Sequence, residues 1–183
     1  MRALLAQKPH LIRLPFCGEI FYLDGRKAAY WPKEKTLLLA DLHLGKACAF
    51  DAQGFNLPNY DTQETLTRLQ ALIALYQPQT VIFLGDSFHR EHSWQQLSHT
   101  DRETCCEIIQ AIPECIWILG NHDPTIPESL PGPRRTTLTR SGILLCHDGS
   151  PTDQPQILGH FHPKCRFRLG RIHKSTPCFA HAP

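Results

Sequence analysis

The sequence predicts a layered α/β domain built on two sheets. Short, continuously apolar segments alternate with two longer segments whose apolar residues recur at helical spacing, a pattern typical of buried strands covered by helices. Three of the apolar segments, Thr36–Ala40, Val81–Leu84 and Cys115–Leu119, are separated by the two helical ones. Two more short strands follow without a helix between them, so a second sheet is expected.

The strands are expected in a simple order along the chain. A hairpin comes first, because two apolar arms, Glu19–Leu23 and Ala29–Trp31, flank the turn residues at 24 and 25. The three buried strands named above come next. Gly142–Cys146 and Gln156–Leu158 complete the series, and loops rich in Pro and Gly occupy 124–133 and 149–155.

Two helices are predicted between the buried strands. The first begins near Asp61, where Glu64 completes a capping-box pattern, and ends before Pro78. Thr100 and Glu103 repeat the capping pattern at the start of the second helix. The faces expected to cover the sheet are Leu66, Leu69, Leu72, Ile73 and Tyr76 on the first helix, and Cys105, Ile108, Ile109 and Ile112 on the second.

Length and composition place the chain among ordinary globular domains. Its 183 residues contain no internal repeat, so a single domain over residues 1–183 is expected. A hydrophobic content of 42% with 20% charged residues excludes a disordered chain, and the net charge of +2 neither demands nor excludes a nucleic-acid partner. The apolar runs are too short to span a bilayer, and Lys8, Pro9 and Arg13 interrupt any signal-peptide pattern. We therefore expect a cytoplasmic protein without a membrane partner.

The cysteines and the histidines support different predictions. No CxxC pair occurs, so we expect reduced cysteines packed in the core at positions 17, 48, 105, 106, 115, 146, 165 and 178. The chain has eleven histidines. Some of them belong to recognisable motifs, and most of these motif histidines come directly after a predicted strand. The histidines that match no motif are His10, His92, His99, His173 and His181.

Side chains that can bind metal ions follow each of the last five predicted strands. They are, in order, Asp41 and His43; Asp86; Asn121, His122 and Asp123; His147; and His160 and His162. Loops at the carboxyl ends of strands form the ligand site of α/β sheets, so these side chains are expected to converge. Carboxylate, imidazole and amide ligands without a thiolate suit Mn²⁺, Fe²⁺ or Zn²⁺ in a hydrolytic role. There are more candidates than one ion needs, which favours two ions that share a carboxylate.

The motifs in this order resemble the calcineurin-like metallophosphoesterase superfamily. They are Asp41-x-His43, Gly85-Asp86, Gly120-Asn121-His122-Asp123, His147 and Gly159-His160-x-His162. Longer stretches, LLLADLHLGKA at 37–47, FLGDSFHR at 83–90 and LGHFHP at 158–163, are similar to the bacterial ligase-associated DNA damage response endonuclease family. The resemblance implies an α/β/β/α sandwich of two mixed sheets flanked by helices. It also implies a manganese-dependent phosphodiesterase associated with a DNA ligase and a helicase.

The same resemblance implies a role for each motif residue. One ion would be held by Asp41, His43, Asp86 and His162, and the other by Asp86, Asn121, His147 and His160, with Asp86 bridging. His122 would stabilise the pentacoordinate phosphate or protonate the leaving oxygen, and Asp123 would hydrogen-bond His122 and orient it. The form Gly85-Asp86-x-Phe88-His89 resembles nuclease members of the superfamily, so His89 and Arg90 are candidates for contacting a substrate phosphate.

Three functions remain open at this point. The first is a two-metal phosphodiesterase acting on nucleic acid, with single-stranded or flapped DNA as the expected substrate. The second is a small-molecule phosphodiesterase or pyrophosphatase, since similar ligand sets serve both. The third is a non-catalytic scaffold, which the intact set of ligand candidates disfavours.

The C-terminus departs from the family pattern. Only Lys164–Pro183 follows the last motif, and the tail HKSTPCFAHAP shows little strand character. Either the last strands are lost, so that the second sheet is truncated at its C-terminal strands, or this tail has diverged from the family. An open sheet edge beside His160 and His162 would make this region less stable.

Overall fold

A computed structural model describes residues 11–47 and 60–182 of the chain. Cys48 and the stretch 1–10, which includes His10, lie outside the described residues. The strands are β1 (Leu11–Phe16), β2 (Glu19–Asp24), β3 (Ala28–Trp31), β4 (Thr36–Leu39), β5 (Thr80–Leu84), β6 (Glu114–Ile118), β7 (Arg134–Arg135), β8 (Thr137–Arg140), β9 (Ile143–Cys146), β10 (Gln156–Leu158), β11 (Lys164–Leu169) and β12 (Ile172–Pro177). The helices are α1 (Tyr60–Tyr76), α2 (Ser93–Gln96) and α3 (His99–Gln110).

The first sheet is mixed. Within the described residues it contains seven strands in the order β1-β2-β3-β4-β5-β6-β7. Strands β1 to β4 pair antiparallel, and β4 to β7 pair parallel. The predicted hairpin, the three buried strands and the first helix are confirmed, while β1 and β7 were not predicted.

Two hydrophobic clusters lie on opposite faces of this sheet. Leu37 and Leu39 of β4 pack against the cluster formed by α1 and α3, whereas Leu38 belongs to the cluster shared with β9. Successive side chains of a strand point to opposite faces, so a strand covered on both sides is apolar at every position. This explains why the central strands read as continuous apolar runs.

The second sheet covers the face of the first sheet opposite the helices. Among the described strands it has the order β10-β9-β8, with β10 parallel and β8 antiparallel to β9. The predicted α/β layering with two mixed sheets is therefore confirmed. In the described part of the chain, β10 pairs only with β9, so the edge that precedes His160 is open as expected.

A buried hydrogen bond ties α1 to β2. The Tyr76 hydroxyl donates to Asp24 Oδ2 at 2.7 Å, and the Arg26 guanidinium donates to both carboxylate oxygens. Burial by itself would raise the pKa of Asp24, but the hydrogen bonds from Arg26 and Tyr76 outweigh it and lower the pKa to about 2. Asp24 is therefore an ionised carboxylate inside the fold.

The start of α3 differs from its prediction. The N-cap is Ser98, whose hydroxyl accepts from the Asp101 backbone N–H at 3.1 Å, and not Thr100. Ser98 and Asp101 have the same three-residue separation as the predicted pair, so the pattern occurs twice in overlapping positions. The expected buried face of the helix, which includes Cys105 and Ile109, is confirmed.

The C-terminal tail forms a hairpin, contrary to the prediction. Strand β12 pairs antiparallel with β11, and Leu169 lies opposite Ile172, so the turn has two residues. Gly170 occupies the first turn position with φ +60°, where a type II′ turn favours glycine. The turn residues override the weak strand propensity of the tail.

The cysteines only partly follow the core prediction. All the cysteines that the structure describes are free. Cys105, Cys115 and Cys146 are buried, and burial raises the pKa of Cys105 and Cys115 to about 12. Three others are exposed because they lie in the β1–β2 turn or in the C-terminal segment, namely Cys17, Cys165 and Cys178.

The described part of the chain has no helix with the length and apolar character of a membrane span.

Candidate metal centre

Backbone hydrogen bonds bring the strand-end loops of β4 and β5 together. The His43 N–H donates to the carbonyl oxygen of Asp86 at 2.9 Å, and the Asp41 N–H donates to that of Gly85 at 3.1 Å. The loop after β10 joins them, because the His160 N–H donates to Asp41 Oδ1 at 3.0 Å. Parallel strands end at one edge of a sheet, so residues far apart in sequence meet there.

The first group of donor atoms comes from Asp41, His43, Asp86 and His162. One ligand atom from each lies within 4.8 Å of the others. His43 Nε2 and His162 Nε2 are 3.2 Å apart, and His162 Nε2 is 3.7 Å from Asp41 Oδ1. This is the combination that the family resemblance implies for one ion.

The second group shares Asp86 with the first. Ligand atoms of Asp86, His147 and His160 also lie within 4.8 Å of one another. Asn121 Oδ1 completes the group, at 3.0 Å from both His147 Nε2 and His160 Nδ1. Asp86 is buried and faces both groups, as expected of a bridging carboxylate.

The histidine rings present lone pairs to these groups. His147 Nδ1 lies 2.9 Å from the carbonyl oxygen of Leu84, which can only accept, so the ring proton is held there and Nε2 is left unprotonated. Burial lowers the pKa of His43 to about 4, which keeps that ring neutral. The lone pair of His147 Nε2 faces Asn121 Oδ1 and Asp86 Oδ1, and such a set of carboxylate, amide and imidazole ligands fits a divalent cation.

Several candidate ligands have left-handed backbone conformations. Asp41, His43, Asp86, His160 and His162 have φ values of 52°, 48°, 49°, 66° and 43°. This conformation costs a residue with a Cβ about 1–2 kcal/mol. In the loops after β4 and β10, these turns bring alternate side chains, Asp41 with His43 and His160 with His162, to the same site.

A family model described as calcineurin-like phosphoesterase matches residues 34–172, which include every candidate ligand. The chain belongs to the calcineurin-like phosphoesterase family. The crystal structure of the Pseudomonas putida nuclease MPE has a similar fold, with a TM-score of 0.73 and 26% sequence identity. The match covers 90% of this chain and 79% of that chain. No curated protein sequence matches the chain. As a family member the chain is a metal-dependent phosphoesterase.

Two glycines of the phosphoesterase leave room for the donor atoms. A Cβ on Gly120 would lie 2.2 Å from Asp86 Oδ1. A Cβ on Gly85 would lie 2.3 Å from His147 Nδ1, and Gly85 also has φ +80°. A side chain at either position would therefore displace a candidate ligand.

Asp123 does not orient His122, which corrects the sequence-based prediction. Its carboxylate is fully buried and accepts four hydrogen bonds from backbone N–H groups. Oδ1 accepts from Asp86 and Gly120, each at 3.0 Å, and Oδ2 accepts from Ser87 at 2.7 Å and Phe88 at 3.1 Å. Burial raises the pKa of Asp123 to about 6, although these hydrogen bonds lower it. Asp123 therefore positions the loop that carries the bridging Asp86.

His122 is oriented by a backbone carbonyl instead. Its Nδ1 lies 2.8 Å from the carbonyl oxygen of His89, and its own N–H donates to Asp86 Oδ1 at 3.0 Å. The His122 side chain is 40% exposed, and Nε2 lies 4.0 Å from Asp86 Oδ2. Sequence reasoning missed this contact because backbone carbonyls carry no residue-specific signal.

The two candidates for substrate contact are placed differently. His89 joins His43 and His122 in a third group, with ring nitrogens within 4.8 Å of one another. Its ring stacks on His122 with centroids 5.6 Å apart. Arg90 has an exposed side chain, and its backbone N–H donates to Ser93 Oγ at 2.9 Å. The structure thus brings His89 to the site and leaves Arg90 at its margin.

Proposed function

We propose that this phosphoesterase is a phosphodiesterase that cuts nucleic-acid strands as an endonuclease, with single-stranded or flapped DNA as its substrate. The observation that carries the proposal is the pair of donor groups sharing Asp86, with His122 and His89 beside them. The Pseudomonas putida protein, which is described as a nuclease and is similar over 90% of this chain, supports a nucleic-acid substrate.

Two divalent ions would be the cofactors. One would be held by Asp41, His43, Asp86 and His162, and the other by Asp86, Asn121, His147 and His160. We propose Mn²⁺, which carboxylate and amide oxygens suit, with Fe²⁺ and Zn²⁺, which imidazole suits, as the alternatives. When bound, the two ions would supply Lewis acidity toward the phosphoryl group and a nucleophile at neutral pH.

His122 would handle the proton of the leaving oxygen. Hydrolysis adds water to phosphorus and breaks one P–O ester bond, and the departing oxygen takes up a proton. The His89 carbonyl holds the proton on Nδ1 of His122, so Nε2 is the position from which a proton can be delivered. Nε2 lies 4.0 Å from Asp86 Oδ2 and the side chain is 40% exposed, so this nitrogen faces the donor groups from an accessible position.

His89 and Arg90 would contact a phosphate next to the one that is cleaved. The ring of His89 lies beside both His43 and His122, with centroid distances of 5.6 Å to each. Imidazole N–H groups and guanidinium groups donate hydrogen bonds to phosphate oxygens. A polymeric substrate would supply such a neighbouring phosphate, whereas a small diester would not.

The cellular setting is proposed from the motifs. The stretches at 37–47, 83–90 and 158–163 are similar to ligase-associated DNA damage response endonucleases. We propose a role in DNA repair in the cytoplasm, with a DNA ligase and a helicase as functional partners and without a membrane partner. The single domain expected from the sequence would carry the whole catalytic site.

The proposal is tested by comparing substrates in the presence of Mn²⁺. Labelled single-stranded DNA, cyclic nucleotides, a dinucleoside pyrophosphate and a chromogenic phosphodiester would be assayed with wild type and with His122→Ala. We expect DNA to have the highest kcat/KM. Efficient hydrolysis of a cyclic nucleotide or of the pyrophosphate, with DNA left uncut, would assign the enzyme to small molecules. No turnover of any substrate would indicate a scaffold.

His122→Ala also tests the assigned role. General acid catalysis contributes about 10²–10⁴-fold, so turnover should fall by that factor while both metals stay bound. His99→Ala is the matched control, because its side chain is 77% exposed and lies on α3. Loss of metal in parallel with the rate would show that His122 is a ligand instead.

A further inference from the structure

The C-terminal hairpin concentrates the positive charge of the chain. Residues 164–177 carry five basic residues and no acidic ones, while the whole chain has a net charge of only +2. The remainder of the chain is therefore net negative. The five residues are Lys164, Arg166, Arg168, Arg171 and Lys174. Every residue of β11 and β12 is exposed, so these charges face solvent.

The two faces of the hairpin differ in chemistry. Arg166 lies opposite Ser175 and Arg168 opposite His173, and residues paired across strands share a face. With Lys164 at the base, this face is basic and polar along its whole length. The other face carries exposed apolar side chains, Phe167, Leu169 and Ile172, together with Lys174.

The hairpin is attached directly to the candidate metal centre. Strand β11 begins two residues after His162, and the Cys178 N–H donates to the carbonyl oxygen of Pro163 at 3.0 Å, which closes the base. A six-residue strand spans about 20 Å, so the basic face runs from the site outward over that length.

We propose that the basic face of this hairpin binds the phosphate backbone of the nucleic-acid strand and leads it to the metal centre. This inference rests on the proposed function, because it assigns a binding surface for the same substrate. Arg166 and Arg168 are two residues apart on β11, so both lie on the same face of the hairpin about 6.8 Å apart along the strand. Guanidinium groups bind phosphate oxygens through paired N–H donors, and a surface without carboxylates does not repel the strand.

The test compares DNA affinity between two charge-matched variants. Arg166→Gln/Arg168→Gln removes two charges from the basic face, and Arg13→Gln/Lys35→Gln removes two exposed charges, one from β1 and one from the β3–β4 turn. Lys174→Gln removes one charge from the opposite face of the same hairpin. Binding of a labelled oligothymidylate would be measured by fluorescence anisotropy over a salt series, in the Mn²⁺-loaded His122→Ala background to slow cleavage.

Each phosphate neutralised on a single strand contributes about −0.7 to the slope of log K against log salt. We expect the Arg166/Arg168 variant to bind more weakly and to lose about 1.4 from this slope. Its affinity deficit would then shrink about sevenfold between 50 and 200 mM salt. The Kd of the Arg13/Lys35 variant and the Kd of Lys174→Gln should lie much closer to the wild-type Kd than that of the Arg166/Arg168 variant.

Equal Kd and slope in the Arg166/Arg168 variant and its control would overturn the proposal. A second copy of the chain is the alternative occupant of the hairpin, through Phe167, Leu169 and Ile172. A dimer in sedimentation that Leu169→Ser dissociates, together with DNA affinity unchanged in the arginine variant, would show that occupant instead.

A cleavage assay of wild type on the same oligonucleotide distinguishes failure of this proposal from failure of the proposed function. An enzyme that cuts DNA with affinity insensitive to the arginines would refute the hairpin surface alone. A protein that binds DNA through the arginines without cutting it would refute the endonuclease assignment alone.

Discussion

Replacing Asp123 with Asn changes the hydrogen bonds that hold the loop of the bridging carboxylate, Asp86, in place. Each oxygen of Asp123 accepts two backbone N–H groups, and the side chain is fully buried. An Asn in the same position retains one carbonyl oxygen and turns an NH₂ group toward the other two donors. Two buried N–H groups therefore lose their acceptor, whichever way the amide faces.

The magnitude follows from those two hydrogen bonds. A buried donor that loses its partner costs about 1–3 kcal/mol, so the free energy of unfolding should fall by about 2–6 kcal/mol. A domain is typically stable by about 5–15 kcal/mol, so the variant should fold, and urea unfolding measures the loss. Asp153→Asn, at an exposed loop position, is the control and should change stability by less than about 0.5 kcal/mol.

A double-mutant cycle with His122→Ala decides what Asp123 supports. The structure predicts that Asp123→Asn lowers the rate by the same factor with or without the His122 side chain, because it acts through the loop of Asp86. It also predicts weaker metal binding in isothermal titration. If Asp123 acted through His122, Asp123→Asn would have no further effect on rate in the His122→Ala background, and our reasoning would be refuted.

Metal removal, pH and a glycine substitution test other parts of the structure. Exhaustive chelation should abolish phosphodiesterase activity and added Mn²⁺ should restore it; full activity in the chelated protein would contradict the metal assignment. Asp24 has its pKa lowered from 3.8 to about 2, so its stabilising contribution is complete above about pH 4 and is lost as pH falls through 2. In urea unfolding, the loss of stability over that range should be about 2 kcal/mol larger in wild type than in Asp24→Asn. Gly120→Ala, whose Cβ would lie 2.2 Å from Asp86 Oδ1, should lower metal content by elemental analysis, whereas Gly149→Ala, with its nearest neighbour at 3.8 Å, should not.

The positions of the candidate ligands could be predicted because their signal is local. A fully apolar run followed by Asp41, Asp86 or Asn121 marks the end of a buried strand, and parallel strands end at one edge. The helix faces followed in the same way from apolar spacing. Sequence and structure agree wherever burial imposes a periodic pattern.

The partner of Asp123 could not be predicted because it depends on distant backbone. The family resemblance pairs Asp123 with His122, yet the Asp123 carboxylate bonds the backbone of residues 86–88 across more than thirty positions. The strand β12 was missed for another reason. A strand exposed on both faces has no buried side, so its sequence lacks the apolar alternation that identifies most strands.

The left-handed conformations of the candidate ligands affect how the sequence can evolve. Five non-glycine residues at about 1 kcal/mol each amount to roughly 5 kcal/mol, a large share of the stability of a typical domain. Ions that bind only the folded chain offset this cost by mass action. A descendant that lost its metals would gain stability from glycine at positions 41, 43, 86, 160 and 162. Loss of the ions would therefore leave the backbone strain at these five positions without compensation.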